Sequence, residues 1–168
     1  MQRNRTCGSC TMCCKSMSVK EIHKPVGKWC DHCDVGHGCK IYPERPESCR
    51  IFKCLWLGFD GVPESLSPLK TRVVLDVAID RLSIVARCSP ESPMSWNQGR
   101  MREFLGRLSR QTRVFATDGT RVWVIGPDKF ELVENLKYDE NGDMAYAIPR
   151  AVFQRIGVNP DVTQFNVK

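Results

Sequence analysis

Nine of the ten cysteines fall within the first 54 residues. They open as Cys7-Gly8-Ser9-Cys10-Thr11-Met12-Cys13-Cys14, resume at Cys30-Asp31-His32-Cys33, continue through Gly38-Cys39-Lys40-Ile41-Tyr42, and close on Cys49 and Cys54. Thiolates at such short spacing suit zinc, copper(I) or iron–sulfur clusters, whereas magnesium and calcium prefer oxygen donors. Copper has the least support: Met12 and Met17 lie close by, but there is no C-x-C or Met-rich run.

Adjacency limits how these sulfurs can be shared. The side chains of Cys13 and Cys14 diverge, so the pair implies two metals, a cluster of several irons, or one cysteine that is not a ligand. In an open loop, Cys7, Cys10 and Cys13 would form a three-thiolate cradle of the kind that holds an iron–sulfur cluster, with a distant fourth cysteine. In a helix, Cys7, Cys10 and Cys14 would share a face about 60° wide, and Cys13 would splay outward. Zinc would instead use two C-x-x-C knuckles, such as Cys7/Cys10 and Cys30/Cys33. His32 or His37 could replace one sulfur, although the cysteines already suffice.

The compound string continues with Arg45-Pro46-Glu47-Ser48-Cys49-Arg50-Ile51-Phe52-Lys53-Cys54. Together these residues resemble the CxxCxxCC cysteine-cluster family, described as zinc- or iron-chelating, over about residues 7–57. The resemblance implies ligands at Cys7, Cys10, Cys13, Cys14, Cys30, Cys39, Cys49 and Cys54. Cys33 stands where the family usually has an apolar residue, and Cys88 lies beyond the motif, so both are extra candidates. Tyr42, Arg45 and Arg50 belong to the shared string. An arginine beside thiolates can donate hydrogen bonds to sulfur; equally, Pro43, Arg45 and Pro46 can fix a turn on which Tyr42 packs. A flagellin lysine methylase carries a similar region in a longer chain, and that likeness implies an iron–sulfur centre. The cofactor expected is an iron–sulfur cluster, 4Fe-4S ahead of other types, or zinc.

The residues around the cysteines agree with a metal staple. The first 50 residues hold few Leu, Val or Ile, and small segments of this kind are usually held by disulfides or metal. No apolar run follows Met1–Thr6 and no membrane-length apolar stretch occurs, so the expected location is the cytoplasm, where thiols stay reduced and metal is favoured over disulfides. The formal charge of +6 would fall to about +2 with two four-thiolate sites of about −2 each. This weakens any nucleic-acid reading.

The expected fold is α+β: an irregular, metal-stapled region over 1–60, then a β-hairpin-rich part over 61–168 with one or two amphipathic helices, packed on it as a second unit or one continuous domain. Pro46 and Gly58 bracket one expected helix. Residues 61–70 read as a loop or linker. Val73, Leu75, Val77 and Ile79, then Leu82, Ile84 and Ala86, alternate as a hairpin that brings Cys88 to a strand end. Met101, Phe104, Leu105 and Leu108 mark a helix within 97–112, with Arg100, Arg102, Arg107 and Arg110 on its other faces. Asp118-Gly119 predicts a hairpin between 113–117 and 121–125. A strand at 130–133, a turn at Asn141-Gly142 and a helix from Pro149 to Ile156, stopped by Gly157, complete the reading.

Three functions compete. The first is a metal-binding module. The second is a redox or metal-dependent enzyme, or an accessory subunit whose cluster transfers electrons to a protein partner. The third is a nucleic-acid module using the arginine-rich helix. The chain contains no His-Glu-x-x-His, dinucleotide loop, P-loop or nucleophile elbow, so no catalytic residue is named.

Overall fold

The computed structural model describes residues 4–78, 81–134, 137–138, 144–145 and 148–161. It is α+β. A five-stranded sheet runs in the order β3 (Val74–Val77), β4 (Ser83–Arg87), β5 (Arg113–Thr117), β6 (Val122–Ile125) and β7 (Phe130–Val133). A small antiparallel pair, β1 (Cys33–Asp34) with β2 (Gly38–Cys39), lies in the cysteine-rich region.

Both expected hairpins form, β3–β4 and β5–β6, as does the strand at 130–133. The join between β4 and β5 is parallel, with Ile84 opposite Val114 and Ala86 opposite Ala116. Parallel neighbours need a crossover, and here it contains α5 (Gly99–Leu108), the expected amphipathic helix. Helix α6 (Arg150–Arg155) follows Pro149 and ends before Gly157, also as expected. Ile79 and the Asn141-Gly142 turn lie outside the described residues.

Alternation along the central strands divides the core. Leu75, Ile84, Ala86, Val114, Ala116, Trp123 and Ile125 face Trp96 and the apolar stripe of α5. Val85, Phe115, Val122 and Val124 face Val152, Phe153, Ile156 and Val158. Burial on both faces requires continuous apolar runs in the middle of the sheet. Full burial of one such side chain contributes roughly 1.5–3 kcal/mol.

Two expectations are corrected. Residues 46–58 form two short helices, α2 (Glu47–Ile51) and α3 (Leu55–Gly58), with Pro46 just before the first. The chain extends at Phe52 and Cys54 between them. Residues 61–70 are no free linker. They form a 3-10 turn at Glu64–Leu66 and helix α4 (Pro68–Thr71). Val62 and Leu66 enter the core beside Leu55. Arg5 fastens this segment to the start of the chain, donating from Nη1 to the Trp56 carbonyl and from Nη2 to the Val62 carbonyl at 2.7 Å.

The cysteine-rich region sits over the carboxyl ends of β4 and β5. Gly27 passes so close to Pro90, just beyond β4, that a Cβ on it would meet the proline ring at 2.6 Å. Val26 touches Gly119 in the β5–β6 turn, and Lys15 pairs with Glu91. The region has almost no apolar interior. Val19 is its one buried aliphatic among the described residues before Leu55, and its other buried groups are Thr11, Lys15, Ser16 and Lys24. No helix among the described residues is long and apolar enough to cross a membrane.

Candidate metal centre

The opening run is neither a continuous loop nor a continuous helix. The Cys10 N–H donates to the Cys7 carbonyl at 2.8 Å, closing a turn. Thr11 then leads into the single helical turn α1 (Met12–Ser16), where the Cys14 N–H reaches the Thr11 carbonyl at 2.9 Å. Cys14 interacts electrostatically with both Cys7 and Cys10. Cys54 joins them from the start of α3 and feels Cys7 and Cys10.

A second group lies on the other side of Cys14, whose thiol hydrogen-bonds with those of Cys13 and Cys33. The Cys30 N–H donates to the Cys14 carbonyl at 3.1 Å, and the Cys33 N–H to the Cys30 carbonyl at 2.9 Å, so Cys30-x-x-Cys33 is a tight turn anchored on α1. Cys39 stands opposite Cys33 in the β1–β2 ladder, and directly opposed residues share a face. Cys49, on α2, feels Cys14 and Cys30. The break between α2 and α3 resolves the angular problem that one helix would pose. On an intact helix, Cys49 and Cys54 would point roughly 140° apart. The extended residues between them let each face its own group.

Several donors are aimed at these sulfurs. Cys10 receives the backbone N–H groups of Met12 and Leu69, and Cys54 those of Leu57 and Trp56. The Thr11 side chain serves Cys33, whereas the Ser48 hydroxyl beside Cys49 donates to Glu21 Oε2 at 2.9 Å. Each donor to sulfur favours the thiolate, but burial works harder in the other direction. It is the leading cause that raises the Cys10, Cys49 and Cys54 thiols, and together with the neighbouring Cys14 it pushes Cys33 up to about 11. Cys14 rises further, first through its hydrogen bond with Cys13 and then through burial. These raised thiols hold their protons at neutral pH, so any metal ion that bound them would have to displace those protons.

Lys24, which the sequence pattern did not single out, penetrates this assembly. It is 7% exposed. Its ammonium donates to the Lys15 carbonyl at 2.8 Å and to the Met17 carbonyl. Burial lowers its pKa, and the charges of Cys14, Cys30, Cys13 and Cys49 oppose that shift. No carboxylate pairs with it among the described residues. The sequence offers no periodic signal for such a residue, because a lysine in a polar loop reads as solvated.

The remaining candidates divide. Arg45 lies near Cys7, stacks 3.7 Å from the Tyr42 ring centroid, and donates to the Tyr42 carbonyl at 2.8 Å. Tyr42 is exposed, and Arg50 pairs with Glu47 at the surface. His37 faces Asp34 at 3.5 Å, outside the sulfur groups. Cys88 is 1% exposed within the sheet core, where its thiol meets Ser95 and the Trp96 backbone, and burial raises it. Arg102, from the basic helix, is engaged structurally, donating to the Gly126 carbonyl at 3.1 Å.

All ten cysteines are free thiols. Among the described residues, no three His, Cys, Asp or Glu side chains stand close enough to hold one ion as placed. The donor types and the N–H groups aimed at sulfur fit a thiolate-bound metal, and binding one requires the cysteine side chains to turn inward. No protein-family model, curated protein or solved structure matches this chain.

Proposed function

We propose that this protein is a metal-binding module of the CxxCxxCC cysteine-cluster type. It holds an iron–sulfur cluster or zinc through Cys7, Cys10 and Cys54 on one side of Cys14, and through Cys13, Cys30, Cys33 and Cys49 on the other. Cys39, opposite Cys33 in the β1–β2 ladder, would join the second group. The observation that carries this reading is Lys24. A buried ammonium is favoured by nearby negative charge; besides the Lys15 and Met17 carbonyls to which it donates, the groups that favour its charged form are Cys14, Cys30, Cys13 and Cys49. Metal-bound thiolates supply that charge; neutral thiols do not. Cys14 shared between the two groups, with its thiol hydrogen-bonded to Cys13 and Cys33, supports a multi-iron cluster or two metals over a single zinc.

A metal of this kind would staple the region that lacks an apolar core, in the reducing cytoplasm. Cys7 is exposed, which suits an accessory role in passing electrons to a protein partner.

Purification without oxygen, followed by a visible spectrum and analysis for iron, acid-labile sulfide and zinc, tests the proposal. A brown protein with labile sulfide identifies the cluster. A colourless protein with stoichiometric zinc identifies the zinc form. A fully folded protein that contains and takes up neither would falsify the proposal.

A further inference from the structure

A groove of about 380 Å³ opens beside the cysteine groups, lined by His23, Lys24, Lys28, Trp29, Asp31 and His32. Its size lies within the range of small-molecule sites, roughly 300–1,000 Å³. Trp29 and Asp31 flank Cys30 in the chain, and Lys24 forms part of the wall while also facing the sulfurs.

The lining combines two kinds of recognition. Trp29 is half-buried: the Lys15 ammonium sits 5.1 Å from its ring centroid, and the residue is part of the groove lining. An indole in such a wall offers a planar surface on which a flat group can stack. Lys28 and His23 are exposed at the rim, and among the described residues neither is in an ion pair. Lys24 also lines the groove, but its ammonium is committed to the Lys15 and Met17 carbonyls. Asp31 is the single acid on the lining and can accept a hydrogen bond from a hydroxyl or amine. A lysine whose charge is unopposed in a concave site is a phosphate binder as a point charge.

We infer that this groove binds a small planar phosphate ester, of the nucleoside monophosphate kind, with its ring against Trp29 and its phosphate on Lys28 and His23. The walls come from residues 22–32, and a bound ligand would cover the residues that flank Cys30 in the chain.

The test uses the full chain, purified without oxygen, titrated with adenosine monophosphate, inorganic phosphate and adenosine separately. Binding is followed by calorimetry and tryptophan fluorescence, with metal content measured alongside. The nucleotide should bind saturably and about tenfold or more tighter than either part alone, because stacking and charge act together. Trp29→Phe should remove most of the fluorescence change. Lys28→Glu should weaken nucleotide binding about tenfold or more by reversing the nearest charge, with metal content unchanged. Lys28→Gln should weaken it less, which guards against misfolding of the charge reversal. Three results would overturn the inference: no saturable nucleotide binding at millimolar concentration, phosphate or adenosine alone binding as well as the nucleotide, or binding indifferent to both Lys28 variants. Metal loss with nucleotide binding intact would count against the cysteine reading and leave the groove standing.

Discussion

Gly119, at the tip of the β5–β6 turn, lies so close to Val26 that a Cβ built on it would sit 2.5 Å from Val26 Cγ1. Its φ of 92° is one that L side chains rarely adopt. This contact and the approach of Gly27 to Pro90 seat the cysteine-rich region on the sheet. Gly119→Ala is expected to cost about 2–3 kcal/mol, from backbone strain and overpacking together. Chemical denaturation measures the loss. If the seat also positions the thiols, metal content per chain falls with it.

Lys24→Met keeps the length of the side chain and removes the charge. Two carbonyl acceptors lose a donor in any state of the protein, but the compensation of thiolate charge is lost only when metal is bound. The variant is therefore expected to lower stability by about 1–3 kcal/mol more in the metal-loaded protein than after chelation. Thermal unfolding with and without chelator checks the difference. Equal losses in both states would remove the charge argument.

The cysteines make distinguishable predictions by position. Cys14→Ser and Cys33→Ser remove neighbouring sulfurs at the centre of the assembly, and both should reduce metal content sharply. Cys88→Ser should leave metal content intact and reduce stability by about 1–3 kcal/mol, because it buries a hydroxyl in the sheet core. Elemental analysis beside urea unfolding separates the two outcomes.

Asp118 supplies a pH dependence away from the sulfurs. Burial alone would raise its carboxyl. Hydrogen bonds from the Arg121 N–H at 2.7 Å and the Thr120 N–H at 2.9 Å, with the Arg121 guanidinium, outweigh burial and hold it below the ordinary carboxylate value. A folded-state value below the unfolded one, about 3.9, gives stability that is complete above roughly pH 5 and fades as pH falls through the unfolded and then the folded value. Asp118→Asn should cost about 1–2 kcal/mol at pH 7 and much less near pH 3. Urea midpoints at the two pH values report the change in slope.

Much of the sheet was legible because its signals are local. Alternation marked β3 and β4, Asp118-Gly119 marked the β5–β6 turn, and Met101, Phe104, Leu105 and Leu108 marked α5. The parallel join of β4 to β5 was not, since it depends on where the crossover returns. Residues 61–70 read as a loop or linker because Val62 and Leu66 are isolated apolar residues, and only the core beside Leu55 shows why they are apolar. The cysteine inventory was plain from spacing, but its division was not. The turn at Cys7–Cys10 followed by one helical turn assigns Cys14 to both groups, and no periodicity encodes that. Lys24 escaped notice because its partners are sulfurs and carbonyls brought in by the fold.

The seat of Val26 on Gly119 also has a consequence in time. A chain made from its amino end exposes the first cysteines well before Gly119 leaves the ribosome, a delay of roughly 5–20 s at ordinary synthesis rates. During that interval the platform that positions these thiols does not exist. Oxidative damage to this protein is therefore expected to fall most heavily on nascent chains, and a brief oxidant pulse should reduce the yield of newly made protein far more than it inactivates finished molecules.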